Sequence, residues 1–453
     1  MQVPNPARSA IAPVYLFACL ILGGSAQGIW QNAVLQLAGM AIVAWAALAR
    51  SSDPLARPAK PLLILLVIAI LIVALQQVPL PAALWAHGAR AQLASDYGVL
   101  GQPLPSLPIS LTPYESLGAL LALIPPVAIF CAIVRLKAFR PSWLAAALVA
   151  GCLAGIILGV LQVGTGPRSP WYLYPATNFG SAVGFFANAN HMASLLIVSL
   201  PFIAALVAVG RDRDRQRSSA MLVVGAMLAL VLVVGIALNG SLAGFALAVP
   251  VIGGSVLILL PSRSRLRPAI AALAGLCAIV AIAGLSGSAI GSGRIGQDAS
   301  TAVQSRRIIL RTTGRAIADY MPFGSGLGSF RRVFPTYENP DVVTSEYVVH
   351  AHNDYAELVL ELGVAGVALI LLFLAWWAAA VWSVWRRSEG GPFARAASVA
   401  SAAVLLHSIV DFPLRTAAIN VCFAMCIALL ADRRQAPRQE TDDLRPTRHL
   451  VFE

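Results

Sequence analysis

Long runs of apolar residues, separated by short polar segments, dominate the chain between residues 10 and 431. Runs of about 20 apolar residues are long enough to cross the hydrocarbon core of a bilayer as helices. The pattern predicts twelve membrane-spanning helices. Their segments are 10–29, 32–49, 61–77, 115–135, 142–163, 189–210, 219–238, 242–261, 268–288, 356–385, 396–411 and 415–431.

The composition leads to the same fold class. Of 453 residues, 58% are hydrophobic and 11% are charged, whereas a soluble domain carries roughly a quarter charged residues. The predicted fold class is therefore an all-α integral membrane protein of about twelve transmembrane helices. The six cysteines all lie in apolar runs, without the spacing of a metal site.

The net charge of +12 is distributed along the chain in a way that predicts topology. If both termini are cytoplasmic, most arginines and lysines fall in cytoplasmic loops, and the short outside loops keep only Arg90, Arg168 and Arg415. This asymmetry follows the positive-inside rule and favours lipid headgroups over nucleic acid as the partner of the basic residues. Residues 1–432 are predicted to form the membrane domain, and 433–453 a disordered, basic cytoplasmic tail.

Two outside segments are too long to be simple turns. The proline-rich segment Val78–Pro113 is expected to lie along the membrane surface. Residues 286–354 form the larger loop, and loops of this length are usually functional. A helix is predicted near 303–320, with arginines at i, i+4 and i+8 on one face. These arginines are Arg307, Arg311 and Arg315.

The segment Gly324–Gly328 lies later in this loop and reads G-S-G-L-G. It lacks the strand–helix context and the lysine of a nucleotide-binding loop. A tight backbone turn, for which glycine is suited, is the interpretation that we favour.

Polar residues cluster where the large loop enters the tenth apolar segment. His350 and His352 precede the helix, and histidine can remove a proton from a hydroxyl near neutral pH. A zinc site built on His-x-His is the rival interpretation, although no third ligand stands at a recognised spacing. Asp354 and Glu357 resemble a capping box. Glu361, one turn further, must face protein or water rather than lipid.

Two other polar stretches lie at predicted outer ends of helices. Asn188 and Asn190 open the sixth apolar segment, where they either cap the helix or line a cleft. His407, in apolar surroundings, is expected to hydrogen-bond to a neighbouring helix. Asp411 and Arg415 are expected to form a local ion pair in the turn that follows.

Four motifs occur in an order that resembles a known family. They are F-A-N-A-N-H-M-A, then S-R-x-x-x-x-R with P-F-G-S-G-L-G-S-F, then H-A-H-N-D-Y-A-E-L-x-L-E-L-G-V-A-G, and finally H-S-I-V-D-F-P-L-R. Together they resemble the O-antigen ligase and polymerase superfamily of bacterial envelope glycosyltransferases. The resemblance runs from about Asn178 to Arg415, and H-N-D-Y-x-E-x-x-x-E-x-G is its most specific part.

The resemblance implies an inverting glycosyl transfer that needs neither metal nor cofactor, on the periplasmic side of the bacterial inner membrane. The donor would be a glycan on undecaprenyl pyrophosphate. For a ligase the acceptor would be lipid A-core, and for a polymerase it would be a growing glycan.

The resemblance also implies roles for individual residues. The family's essential histidine falls on His352, and the loop arginine that binds the pyrophosphate falls on Arg306. The other predicted substrate-binding residues are Arg307, Arg311, Arg415, His350, Asn353 and Asn190. The chain departs from the family at Leu242, because many relatives have S-R-G-A where this chain reads S-L-A-G. Arg415 or another loop arginine is expected to replace the missing one.

An O-antigen ligase-like transferase is thus the first hypothesis, and a polymerase of the same superfamily is the closest alternative. A secondary transporter or a lipid-linked sugar flippase is a third class. It is disfavoured because the chain shows no matched broken helices in inverted repeats, and because its polar residues gather at one face.

Overall fold

A computed structural model describes residues 6–25, 29–49, 55–211, 215–261, 263–286, 294–340, 347–386 and 391–432. Within these ranges, 215–217, 286 and 294–304 are described by their backbone alone. The predicted tail, 433–453, lies outside the described residues.

Helices make up nearly all the regular structure of the described residues. They are α1 (Pro6–Leu22), α2 (Trp30–Leu48), α3 (Ala59–Leu75), α4 (Ala82–Trp85), α5 (Ala91–Val99), α6 (Pro113–Leu121), α7 (Ile124–Val134), α8 (Pro141–Gly164), α9 (Ala189–Gly210), α10 (Arg215–Asn239), α11 (Leu242–Leu259), α12 (Arg267–Ser286), α13 (Arg294–Tyr320), α14 (Phe330–Tyr337), α15 (Asp354–Arg386), α16 (Gly391–His407) and α17 (Ala417–Ala431). Short 3₁₀ helices cover Gly88–Arg90 and Pro413–Arg415.

Eleven of the twelve predicted segments overlap one α-helix each, and the remaining segment, 115–135, overlaps both α6 and α7. Among the described residues, eight spans are long and apolar enough to cross a membrane, with α6 and α7 together forming one of them, Pro113–Val134. Three further apolar helices, α1, α3 and α17, are shorter. The all-α membrane class is therefore confirmed, whereas the count of twelve spans is not.

Helix α9 lies at the centre of the bundle. In its apolar segment 83% of the residues are buried, against 6% in that of α12. It packs on α8, α10, α11 and α16. In contrast, α12 exposes Leu276, Ile279 and Val280, as expected of a helix that faces lipid.

The described parts of the two long predicted loops contain regular structure. Strand β1 (Pro79–Leu80) pairs with β2 (Leu107–Pro108) in an antiparallel ladder that closes the proline-rich segment. In the larger loop, α13 confirms the predicted helix and extends further toward its N-terminus. Helix α13 packs on α14 and α15 through a small apolar cluster, which includes Ile309, Ala316 and Phe334.

The glycine-rich segment forms a tight turn, as predicted. Gly324, Gly326 and Gly328 have φ values of 77°, 102° and 82°, which side-chain-bearing residues rarely adopt. A Cβ atom on Gly324 would lie 2.4 Å from the carbonyl oxygen of Glu361. The close approach to α15 therefore requires glycine.

This turn docks where α15 is interrupted. Gly363 has φ 60° and ψ −139°, so the helical hydrogen-bond ladder is broken there. The amide of Gly326 donates to the carbonyl of Glu361 at 2.9 Å, and the amide of Val364 donates to the carbonyl of Pro322 at 2.9 Å. The turn thus satisfies backbone groups that the kink frees and fixes the polar first turns of α15.

Candidate functional site

Three helix starts and one turn meet at the same end of the bundle, which we call the site face. The helices are α9, α11 and α15, and the turn is 408–416, after α16. Asn188, Ser241 and Asn353 cap these helices, each accepting a backbone N–H of the first turn at 2.8–3.0 Å. Because helix starts carry partial positive charge, this face favours anions.

The outer cluster comprises His352, Asp411, Arg306 and Asn190. Nδ1 of His352 lies 3.3 Å from Oδ1 of Asp411, and the Arg306 guanidinium lies 3.8 Å from Oδ2. The Asn190 amide also donates to Oδ2 of Asp411. The Asp411 side chain is 0% exposed, whereas that of His352 is 27% exposed. A buried acid therefore holds a histidine that remains accessible.

The charge of Asp411 is fixed by its neighbours. Burial alone would raise the pKa of this carboxyl, but the adjacent His352 and the charge of Arg306 hold its pKa well below the usual range. Behind it, the Ser241 hydroxyl donates to the Asn190 side-chain oxygen at 2.7 Å. Ser241, Asn190 and Asp411 thus form a chain of hydrogen bonds that ends beside His352.

The inner cluster comprises Arg415, Asp354, Glu357, Glu361 and His350. Nitrogens of Arg415 lie 3.5 Å from Asp354, 3.3 Å from Glu357 and 3.6 Å from Glu361. Nδ1 of His350 lies 2.9 Å from Oε1 of Glu357. Although burial alone would lower the pKa of Arg415, the three carboxylates raise it above its usual value. One guanidinium is therefore shared by three buried acids.

The expected capping box is wrong. Asn353, not Asp354, caps α15 by accepting the amide of Ala356 at 2.9 Å. The Asp354 side chain instead accepts the Ser408 hydroxyl at 2.8 Å. The side chain of Glu357 reaches back to the amide of Ala351, at 2.8 Å. The two carboxylates therefore bind the loop and the turn rather than the helix start.

Phe412 lies between the two clusters. Its ring centroid is 4.9 Å from that of His352, 4.4 Å from that of His350 and 5.1 Å from that of His191. The ring is held by the backbone that carries both Asp411 and Arg415. One short turn therefore supplies a charged residue to each cluster and the aromatic spacer between them.

The turn corrects a second expectation. Asp411 and Arg415 do not pair locally, because Asp411 faces His352 and Arg306 whereas Arg415 faces the acids of α15. The expectation for His407 is confirmed, since its Nδ1 lies 2.7 Å from the Ser194 hydroxyl on α9.

Leu242, where the resemblance leads us to expect arginine, packs in an apolar cluster with Ala243, Leu285 and Val410. The preceding Ser241 keeps a polar role as the cap of α11. Among the described arginine and lysine side chains, that of Arg306 on α13 lies beside Asp411, at 3.8 Å.

The structure brings three predicted residues together, namely His352, Arg306 and Asn190. Arg415 and His350 belong to the inner cluster. The Asn353 side chain donates to the carbonyl of Ile409 and accepts the amide of Ala356. On α13, Arg306 lies on the packed side with Ile309, whereas Arg311 is exposed. The predicted roles of all these residues in substrate binding stay predictions.

Sequence reasoning missed Asp411 as the partner of His352, and it missed Ser241. The available signal was the carboxylate of Asp411 at the end of an apolar segment, because such a group must face protein or water. The sequence could not show which basic residue lay opposite, because His352 and Asp411 are 59 positions apart and meet only through the packing of α15 and α16.

The zinc interpretation gains no support from the geometry. His350 lies against Glu357 and His352 against Asp411, so the two imidazoles have different acidic partners. In the described part of the chain, no group of three or more His, Cys, Asp or Glu side chains is arranged to hold a metal ion.

The fold and the site define a multi-pass membrane protein with a charged, histidine-bearing site at one end of its helical bundle. Residues 227–371 match the family model described as O-antigen ligase. This match supports the resemblance to the O-antigen ligase and polymerase superfamily over that part of the chain. This family comprises membrane glycosyltransferase-like enzymes and implies lipid-linked glycan substrates. No curated protein matches the chain.

Proposed function

We propose that the protein is an O-antigen ligase-like glycosyltransferase. It transfers a glycan from undecaprenyl pyrophosphate to a hydroxyl of lipid A-core or a related acceptor, with inversion at the anomeric carbon. One observation carries the proposal most directly: an accessible His352 is held against the buried Asp411, with Arg306 beside them.

His352 acts as the base. Because its Nδ1 faces Asp411 at 3.3 Å, Nε2 is the nitrogen that accepts the proton of the acceptor hydroxyl. The acceptor oxygen attacks the anomeric carbon as the proton leaves, and the resulting imidazolium is stabilised by the Asp411 carboxylate. Asp411 is a positioning residue in this scheme, because it acts through His352.

The bond from the anomeric carbon to the pyrophosphate oxygen breaks in the same step, and negative charge develops on the leaving pyrophosphate. Arg306 supplies a fixed positive charge near His352, and arginine binds phosphate oxygens in a bidentate manner. The starts of α9, α11 and α15 add partial positive charge at the same face. Stabilisation of this charge needs neither metal nor cofactor.

The remaining predicted residues have graded roles. Arg307 and Arg311 lie on α13 beside Arg306 and contact the pyrophosphate or nearby headgroups. Asn190 holds Asp411, and Asn353 fixes the start of α15. Arg415 and His350 hold the loop through Glu357. Arg415 reaches substrate only if it releases one of its three carboxylates, so direct phosphate binding rests mainly on Arg306.

The site is placed at the periplasmic face of the bacterial inner membrane, with both termini in the cytoplasm. The distribution of basic residues supports this orientation, because most arginines of short loops fall on the face opposite to the site. Long loops escape this rule, so the arginines of 286–354 are compatible with it.

The test is replacement of the chromosomal gene by a His352→Ala version, compared with a gene deletion, followed by analysis of envelope glycans. We expect the variant to insert in normal amounts, to lack O-antigen on lipid A-core and to accumulate lipid-linked long chains. Wild-type amounts of capped lipopolysaccharide would remove His352 from the mechanism. Products limited to a single repeat unit, in the variant and in the deletion strain, would favour the polymerase. Unchanged glycans with altered solute uptake would favour a transporter.

A further inference from the structure

A cleft lined by aromatic residues lies in the loop between α8 and α9. Its volume is about 620 Å³, and its lining includes Arg168, Tyr172, Tyr174 and Phe179. The cleft is wide open to solvent, and it combines aromatic walls with a few polar groups, as ligand sites commonly do. None of the roles proposed above uses this cleft.

The cleft is built rigidly. The Tyr172 hydroxyl accepts the amide of Gly180 at 2.8 Å and donates to the carbonyl of Ser181 at 3.1 Å. The Tyr172 ring meets that of Phe179 edge to face, with centroids 5.1 Å apart. The Tyr174 hydroxyl donates to the carbonyl of Phe185 at 3.3 Å. The hydroxyls are occupied by backbone, and the Phe179 side chain remains half exposed.

The cleft opens at the site face. It follows the C-terminal end of α8 and precedes the N-terminal end of α9. The side chain of Asn178, next to Phe179, accepts the amide of Ala189, at 2.8 Å. Asn190, one residue further, bonds Asp411. A continuous segment therefore connects the cleft to the outer cluster.

We propose that this cleft binds sugar units of the glycan substrate away from the reacting end. This inference rests on the proposed glycosyl transfer. The C–H-bearing face of a sugar ring stacks on flat aromatic walls, which supply large apolar area at fixed geometry. Arg168 is exposed and forms no ion pair among the described residues, so its guanidinium can donate to sugar oxygens. Binding of remote sugars orients the reacting end beside His352.

The rival explanation is that the aromatic residues anchor the loop in lipid headgroups, as tryptophan and tyrosine commonly do. The loop provides a matched control. Trp171 is an exposed aromatic residue of the same loop, outside the lining of the cleft. Headgroup anchoring predicts similar effects of Trp171→Ala and Phe179→Ala, whereas sugar binding predicts an effect of Phe179→Ala alone.

The experiment measures binding of the host's own envelope oligosaccharide, freed of lipid, to the full-length protein in nanodiscs. We expect Phe179→Ala to weaken binding by about 3- to 10-fold, the range expected for one aromatic stacking partner, and Arg168→Gln to weaken it as well. Trp171→Ala should bind as the wild type does, and Phe179→Tyr should restore most of the affinity.

His352→Ala separates this inference from the catalytic proposal. If His352→Ala binds the oligosaccharide normally, and binding still depends on Phe179, the cleft is a glycan site even where transfer itself fails. No binding to the wild type, unchanged binding by Phe179→Ala, or equal losses in Phe179→Ala and Trp171→Ala would overturn the inference.

Discussion

The two charged clusters of the site face contain similar residues and differ in what their charges contact. In the outer cluster, the single carboxylate of Asp411 contacts both Arg306 and His352, and the His352 side chain remains 27% exposed. In the inner cluster, one guanidinium, Arg415, is divided among three carboxylates that are nearly excluded from solvent. The outer cluster can present a base and a cation to a substrate. The inner cluster has its charges turned toward one another and holds the backbone that carries the outer one.

The turn 408–416, which includes Phe412, connects the two clusters. Asp354 accepts the Ser408 hydroxyl, and its own amide donates to the carbonyl of Ser408 at 3.0 Å. The start of α15 and the end of α16 are therefore locked together. This lock places His352, which has φ 49°, opposite Asp411. A positive φ at a residue with a side chain is a strained conformation, and such residues are typical of functional sites.

The largest expected effect comes from Arg415→Ala in the inner cluster. The change leaves three buried carboxylates without their shared cation, so the free energy of unfolding should fall by about 3–5 kcal/mol. The measurements are the amount of folded protein in membranes and the apparent Tm in detergent. Arg311→Ala, on the exposed side of α13, is the control. If Arg415→Ala instead folds normally but loses transfer, Arg415 binds substrate directly. The proposed difference between the two clusters would then be wrong.

Asp411→Asn should have the next largest effect, and on activity rather than on folding. The carboxylate that orients His352 and stabilises its protonated form is replaced by a neutral group, so transfer should fall by about 100-fold or more. The decisive readout is the pH profile. A positioning role predicts an altered profile with KM nearly unchanged, whereas an unchanged profile with a raised KM would indicate that Asp411 binds substrate.

Ser241→Ala tests the end of the hydrogen-bond chain that is farthest from His352. Its hydroxyl caps α11 and donates to Asn190, so its loss should lower stability by about 1 kcal/mol and reduce transfer less than Asp411→Asn does. Ser255, whose hydroxyl bonds only the carbonyl of Val251 within α11, provides a matched serine-to-alanine control. An effect of Ser241→Ala no larger than that of Ser255→Ala would remove Ser241 from the site.

The smallest expected effect is a pH dependence of stability. The pKa of the Asp411 carboxyl is lower in the folded protein than its ordinary value, so the unfolded state binds more protons in acid. The stabilisation is complete above about pH 5 and is lost as the pH falls through the lowered pKa. The difference in apparent Tm between wild type and Asp411→Asn should therefore shrink as the pH falls below about 4. A difference that grows in acid would contradict this account.

The sequence predicted the helices because the backbone N–H and C=O groups of an apolar run must pair with one another inside a membrane, and a helix pairs them. Through the resemblance it also singled out His352 and Arg306, which both contact Asp411 in the structure. It did not predict which acid faces which base. Asp411 and Arg415 are four positions apart, which suggested a local pair, but Pro413–Arg415 forms a 3₁₀ turn that directs the two side chains to different clusters. Glu357 was assigned to a cap for a similar reason, since local spacing cannot reveal a partner supplied by a distant turn.

The most direct test of the central claim compares the two histidines, one from each cluster. Purified His352→Gln and His350→Gln are reconstituted in lipid vesicles with an undecaprenyl-pyrophosphate-linked glycan and lipid A-core, with and without a chelator. The account predicts that His352→Gln loses about 100-fold or more of the transfer rate at unchanged Tm, that His350→Gln loses less, and that the chelator leaves the wild type active. Transfer by His352→Gln at the wild-type rate, or a loss with chelator that zinc or magnesium restores, would contradict it.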